Sequence, residues 1–460
     1  MDARPYKVNI PQETLDDLRE RLDHTRFPDE VEGADWDYGT SLRYLQELVD
    51  YWRGGFDWRR QEEQLNRLAQ FRAEVDGFGL HFVHERGKGP DPLPLLLTHG
   101  WPDSFYRFHK VIPMLTDPAS YGGDPADSFD VVAPSVPGYG FSDRPAERGF
   151  TSERTADLFA RLMSERLGYE RFGAHGGDIG SGVTEKLAAS HAASLVGIHL
   201  TDVPYWHLFT VPQDSLSEAE QEYLEAGMKW QMEEGAYALI QSTRPQTPAY
   251  ALNDSPAGLA AWIVEKFRSW SDCDGDVEKR FDKDELLTNI TIYWATETIN
   301  SSFRIYYETQ HNPPEGGSVR VGVPTGVAMF PGDIVPARAS SRSGSSTSGA
   351  GRGCPGVDTS RRWRNRICWS RTCGSSSVLC ARKPESALES VRSGWPTKEE
   401  GPGDGGSCSR SSPPRAAGRA PASRPWGLVN RAASRSRRWR RGRAGCGPRG
   451  RETSHGPSGC

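Results

Sequence analysis

Cysteine is almost missing from the first 337 residues: Cys273 stands alone there, and the other seven of the eight cysteines lie beyond Arg338. This excludes a disulfide-built secreted domain for that stretch and suits a reducing compartment. Long apolar runs are missing as well. No stretch reaches the ~18 apolar residues of a membrane span, and no basic segment followed by an apolar run opens the chain. A cytoplasmic protein without membrane contact is therefore expected. Positive charge is scarce up to Ala337, with 31 Lys+Arg against 54 Asp+Glu, and abundant from Arg338 onward, with 25 against 7. The whole-chain charge of −5 hides this break. Histidine is scarce toward the end of the chain: after Asp333 only His455 occurs.

Helical spacing is present early. Leu15, Leu18 and Leu22 share one face, as do Leu42, Leu45, Leu48, Val49 and Trp52, and Thr14 with Asp17 resembles a capping box. Residues 1–90 read as an N-terminal meander that includes a hairpin, 71–75 with 80–84, turning at Asp76-Gly77. Residues 91–204 alternate strands (93–97, 129–133, 171–175, 195–200) with helices (154–167, 183–193), which predicts a mostly parallel sheet covered on both faces. Residues 205–310 are helical and rich in Trp and Tyr, an insertion that reads as a cap. The core resumes over 311–337, with strands expected at 319–324 and 327–330.

The central motif is His175-Gly176-Gly177-Asp178-Ile179-Gly180-Ser181, set between a predicted strand and a predicted helix. It has the G-x-Nu-x-G form of a nucleophile elbow, where crowded backbones admit only glycine beside the nucleophile. The nucleophile here is an aspartate. It forms an ester with an alkyl carbon, so water must later attack the carboxyl carbon itself, which suits substrates that open at carbon: epoxides and haloalkanes. Upstream, His99-Gly100-Trp101-Pro102 follows a buried strand. The N–H groups of Trp101 and Ile179 are the expected oxyanion donors.

At this point the sequence resembles the microsomal-type epoxide hydrolases and their soluble bacterial relatives. The likeness runs over about residues 5–337, through Arg26-Phe27-Pro28, H-G-W-P at 99–102, P-G-Y-G-F-S at 137–142, G-G-D-I-G-S at 176–181, A-L-N-D-S-P at 251–256 and G-L-A-A at 258–261. It implies an α/β-hydrolase fold with helical cap and N-terminal meander, and cofactor-free, metal-free hydrolysis of an epoxide to a vicinal diol, in detoxification or aromatic hydrocarbon catabolism. It further implies Tyr237 and Tyr306 as the cap hydroxyls that hold the epoxide oxygen, with Tyr307 a neighbouring competitor. Asp333 is the implied charge-relay acid. The implied partners are the epoxide and water, with a homodimer left open. Tyrosines in these places favour an epoxide hydrolase over a haloalkane dehalogenase, which would present indole donors.

The resemblance also demands a histidine in a Gly-Gly-His-Phe context near the end, and His455 does not sit in one. Residues 338–460 are rich in Arg, Ser, Gly, Pro, Cys and Trp without hydrophobic periodicity, as when GC-rich coding DNA is read out of frame; a disordered tail is the other expectation. Gly356 to Ser360 can be encoded GGG GTG GAC ACT TCG, and reading from the third base gives Gly-Gly-His-Phe. In the same shifted frame, Arg338 to Gly344 admits R-E-F-A-E-R-L, and Ser360 to Arg371 admits A-A-L-E-E-P-D-L-L-V-A-D. A basic arm for nucleic acid is the competing reading, supported by the seven arginines of Arg431 to Arg443. It explains the arginines alone, whereas the shifted frame explains Arg, Cys and Trp together. Cys354, Cys368, Cys373 and Cys380 form no C-x-x-C pair, so no zinc site is expected.

Overall fold

In the computed structural model, the described residues are 3–312, 321–328, 330 and 333–335, together with two short strands near 370 and 380. The chain opens with β1 (Arg4–Tyr6), three helices α1 (Gln12–Asp23), α2 (Leu42–Gly54) and α3 (Trp58–Leu65), and the hairpin β2 (Gln70–Val75) and β3 (Phe78–Glu85). Next come β4 (Leu93–Thr98), α4 (Val111–Thr116), β5 (Phe129–Pro134), α5 (Ser152–Arg161), β6 (Phe172–Gly176), α6 (Ile179–Ser190) and β7 (Leu195–Leu200). Six helices follow: α7 (Glu218–Glu233), α8 (Ala236–Thr243), α9 (Gln246–Asp254), α10 (Pro256–Ser269), α11 (Lys283–Thr296) and α12 (Ile299–His311), and then β8 (Thr325–Val327). A separate antiparallel pair joins β9 (Cys368–Ser370) to β10 (Val378–Cys380). The rest of 338–460, including Gly356–Ser360, the remainder of the shifted-frame segments and His455, lies outside the described residues.

Eight strands form one sheet in the order β1-β2-β3-β5-β4-β6-β7-β8. The first three are antiparallel, and β5, β4, β6, β7 and β8 run parallel to one another. The parallel strands β4 to β7 are largely apolar and buried, as strands covered on both faces must be: Leu95, Leu97, Val131 and Phe172 have no measurable exposure. Each such side chain removed from water contributes roughly 1.5–3 kcal/mol.

Two local expectations change. Thr14 and Asp17 do not cap α1, which begins at Gln12 directly after Pro11, so both lie inside the helix. Proline has no N–H to donate and suits a helix entry. The closing strand is Thr325–Val327, paired with Ile198–Leu200, instead of 319–324 and 327–330. Pro324 cannot donate to a ladder, so the strand beside β7 starts after it and Val321 makes only an isolated bridge; residues 319, 320 and 329 are outside the described set.

The N-terminal helices pack on the helical insertion. Arg21 Nη1 pairs with Asp254 at 2.6 Å, Thr40 Oγ1 donates to the Ala261 carbonyl at 2.7 Å, Tyr51 donates to Asp284 at 2.8 Å and Trp52 Nε1 to Thr291 Oγ1 at 3.1 Å. Enclosure on all sides leaves α11 buried continuously from Leu286 to Trp294. No helix among the described residues is long and apolar enough to cross a membrane.

Candidate active site

Parallel strands bring their carboxyl ends to one edge of the sheet, where α/β folds place their sites. Here β4 runs into His99-Gly100-Trp101, β6 into Gly177-Asp178, β7 into Thr201-Asp202, and the chain after β8 reaches Asp333.

Asp178 caps α6 with φ +58° and ψ −128°, a strained conformation for a residue with a Cβ. The close packing of the elbow explains its glycines. A Cβ on Gly176 would lie 1.9 Å from the Gly180 carbonyl oxygen, and one on Gly180 would lie 2.1 Å from that of Thr98.

One carboxylate oxygen of Asp178 collects both expected donors: Oδ1 accepts from the Trp101 N–H at 2.9 Å and the Ile179 N–H at 2.6 Å. The side chain is exposed, but into a concave cavity of about 260 Å³ that Trp101, Arg107, His175, Lys266 and Trp270 help to line. Enclosure by protein raises the Asp178 carboxyl above its ordinary value, opposed by the two N–H donors and the Arg107 charge.

Tyr237 stacks on Trp101, with ring centroids 5.1 Å apart and planes 9° apart, and Tyr306 meets both rings edge-on at 6.1 and 6.3 Å. The two phenols influence each other, and the Asp178 charge acts on both. Burial, reinforced by that charge, pushes each phenol well above its ordinary value. Tyr307 instead stacks on His311 at 3.9 Å. Tyr306 is held in place from the core: Tyr139, in the Pro137–Ser142 loop, donates to the Ser302 carbonyl at 2.9 Å, and Ser301 Oγ donates to that of Gly138 at 2.6 Å.

Asp333 accepts from the Ile334 N–H at 2.8 Å, and burial raises its carboxyl above the usual range. Its charge is felt by Asp202, a residue that the motifs did not single out. Asp202 Oδ1 accepts from the backbone N–H of Asp178 at 2.9 Å and from the Ser181 hydroxyl, so a second carboxylate holds the elbow itself. Burial pushes the Asp202 carboxyl up to about 7, the Ser181 hydroxyl opposing it. Its place, just past a strand end, was the available signal. Two more residues were missed. Arg107 enters the cavity wall paired with Asp103 at 2.8 Å. His175, one residue before the elbow, contacts His199 at 3.1 Å and is driven down to about 3 by burial.

A profile described as "Epoxide hydrolase N terminus" matches residues 3–108, and one described as "alpha/beta hydrolase fold" matches residues 94–290. A Stigmatella aurantiaca relative is 47% identical over 330 residues, covering 72% of this chain and 74% of its own length. "Epoxide hydrolase 1" of Sus scrofa is 39% identical over 360 residues, covering 72% of this chain and 79% of its own. Among solved structures, Aspergillus niger epoxide hydrolase superposes with a TM-score of 0.66 at 30% identity, covering 76% of this chain and 89% of its own. With these matches spanning the meander, the core and the cap, the chain belongs to the epoxide hydrolase family of the α/β-hydrolase fold.

Proposed function

We propose that this chain opens epoxides by attack of Asp178 on a ring carbon. The carrying observation is the pair of N–H donors on a single oxygen of Asp178. With Oδ1 held, Oδ2 is the attacking atom. Its electron pair forms the new C–O bond, the ring C–O bond breaks, and the epoxide oxygen takes a proton from a phenol of the Tyr237–Tyr306 pair. An alkoxide is a stronger base than a phenolate, so the transfer runs downhill, by a margin that burial of the phenols narrows. The product is a hydroxyalkyl ester whose carbonyl oxygen is Oδ1. Trp101 and Ile179 then stand where negative charge develops when water adds to that carbonyl.

The second step needs a base that takes a proton from water and an acid, Asp333, that steadies the base. The sequence offers no histidine in the required context. One base of displacement in the reading frame near Pro336 accounts for this, converting a Gly-Gly-His-Phe segment into Gly356–Ser360. The tail is then a by-product of translation and not a nucleic-acid arm. Alkylation should proceed and ester hydrolysis should stall. Weighing the intact protein after exposure to styrene oxide tests both halves. One stable adduct, lost in Asp178→Asn, is the expected result. Repeated diol formation would overturn the stalled step, and no adduct would overturn the nucleophile. The nucleotide sequence around Pro336 tests the displacement directly.

A further inference from the structure

Lys266, on α10, is held inside the protein at 7% exposure. A lysine ordinarily uses its long stem to carry the ammonium out to water. Here Nζ lies 5.5 Å from the ring centre of Tyr237 and 5.7 Å from those of Trp262 and Trp270, with neighbouring Glu265 as its carboxylate partner. The same side chain lines the cavity into which Asp178 opens. Burying an ammonium is costly even when paired. If the residue served only to fasten α10 to the aromatic wall, methionine would fill the space without that cost.

We propose that Lys266 is a positioning residue for ring opening: its ammonium, fixed over the face of Tyr237, orients that ring and favours the negative charge it takes on as its proton leaves. The inference rests on Tyr237 being a proton donor to the epoxide. In that step the phenolic O–H bond breaks, the proton joins the departing oxygen, and the electron pair stays on Tyr237 until water returns a proton; Lys266 keeps its own proton throughout. Attraction between a cation and a ring grows as the ring becomes anionic, and in a desolvated site it is stronger than at the surface. The other groups around Tyr237 create the need. Burial, then Asp178, Tyr205 and Glu234, all oppose loss of its proton, and Tyr306 favours it. Lys266 is the cation at that ring face.

The test is the rate of adduct formation with excess styrene oxide, followed by intact mass on the full chain. K266M keeps the stem's volume, with K266Q in its place if methionine costs the fold, and each variant is checked by thermal melting. Loss of the charge should slow alkylation about tenfold or more, and K266R should recover most of it. In a Y237F background, where Tyr306 remains to donate, K266M should cause no further slowing. Alkylation as fast in K266M as in the parent overturns the inference. An equal loss in the Y237F background also overturns it, because a purely structural role would persist there. A parent chain that forms no adduct refutes the Asp178 reading itself, a separate outcome visible before any lysine variant is made.

Discussion

Free imidazole should release the ester that this chain is expected to form on Asp178. The carbonyl oxygen of that ester already lies between the N–H groups of Trp101 and Ile179, at 2.9 and 2.6 Å, so the charge of the tetrahedral intermediate is accommodated. On the proposed reading, the base that should take a proton from the attacking water is missing, since no histidine of the sequence after Asp333 sits in a Gly-Gly-His-Phe context. A positioned general base supplies typically ~10²–10⁴-fold, which is about 3–6 kcal/mol of barrier at roughly 1.4 kcal/mol per tenfold. The nearby histidine does not fill the role. His175 shares the cavity wall, but burial drives it down to about 3, too weak a base to draw a proton from water at neutral pH. The cavity, at about 260 Å³, has room for a five-membered ring. A diffusing base is less effective than a fixed one, so release should quicken by about 10–100-fold at high imidazole, below the full worth of a positioned base. The assay is to alkylate, remove excess epoxide, and follow the decay of the adduct mass with and without imidazole. Rapid loss of the adduct in the absence of imidazole refutes the missing-base reasoning. Slow decay that no imidazole concentration hastens refutes the claim that the oxyanion donors stand ready.

Tyr237→Phe and Tyr306→Phe should each slow alkylation about tenfold or more, and the double variant should form no adduct within the same assay. Gly180→Ala should lower stability by about 3 kcal/mol in urea unfolding, because its Cβ would meet the Thr98 carbonyl oxygen at 2.1 Å and backbone would have to move. Alkylation requires Asp178 ionised, and since its folded-state value is raised, the acid limb of the rate should lie above the ordinary carboxylate value of 3.8. Asp202 behaves differently in stability. Folding raises it from 3.8 to about 7, so the native state binds the extra proton between those values and stability falls as pH rises through that window. Asp202→Asn should therefore gain on the parent from about pH 4 to 7, read by denaturant unfolding at each pH.

Much of the site was legible because strained geometry restricts residue choice. The glycines at 176 and 180 are dictated by backbone contacts, and such constraints leave a motif. Tyr306 could be favoured over Tyr307 only through its surroundings: adjacent residues of a helix point about 100° apart, and which of the two turns inward depends on how α12 docks. Asp202 and Lys266 were not legible. An aspartate after a strand and a lysine near the end of a helix are common, and their importance lies in long-range contacts with the elbow and the aromatic wall. The closing strand was displaced because a run rich in valine suggested two strands, while the proline at 324 decides where pairing begins.

The four side-chain ties from the N-terminal helices to the insertion bear on how anything enters. Ties at Asp254, Ala261, Asp284 and Thr291 resist any swing of α9, α10 and α11 away from the N-terminal helices. On that side of the roof, entry is expected to depend on side-chain rotation more than on a moving lid, so a molecule would be sorted there by its girth.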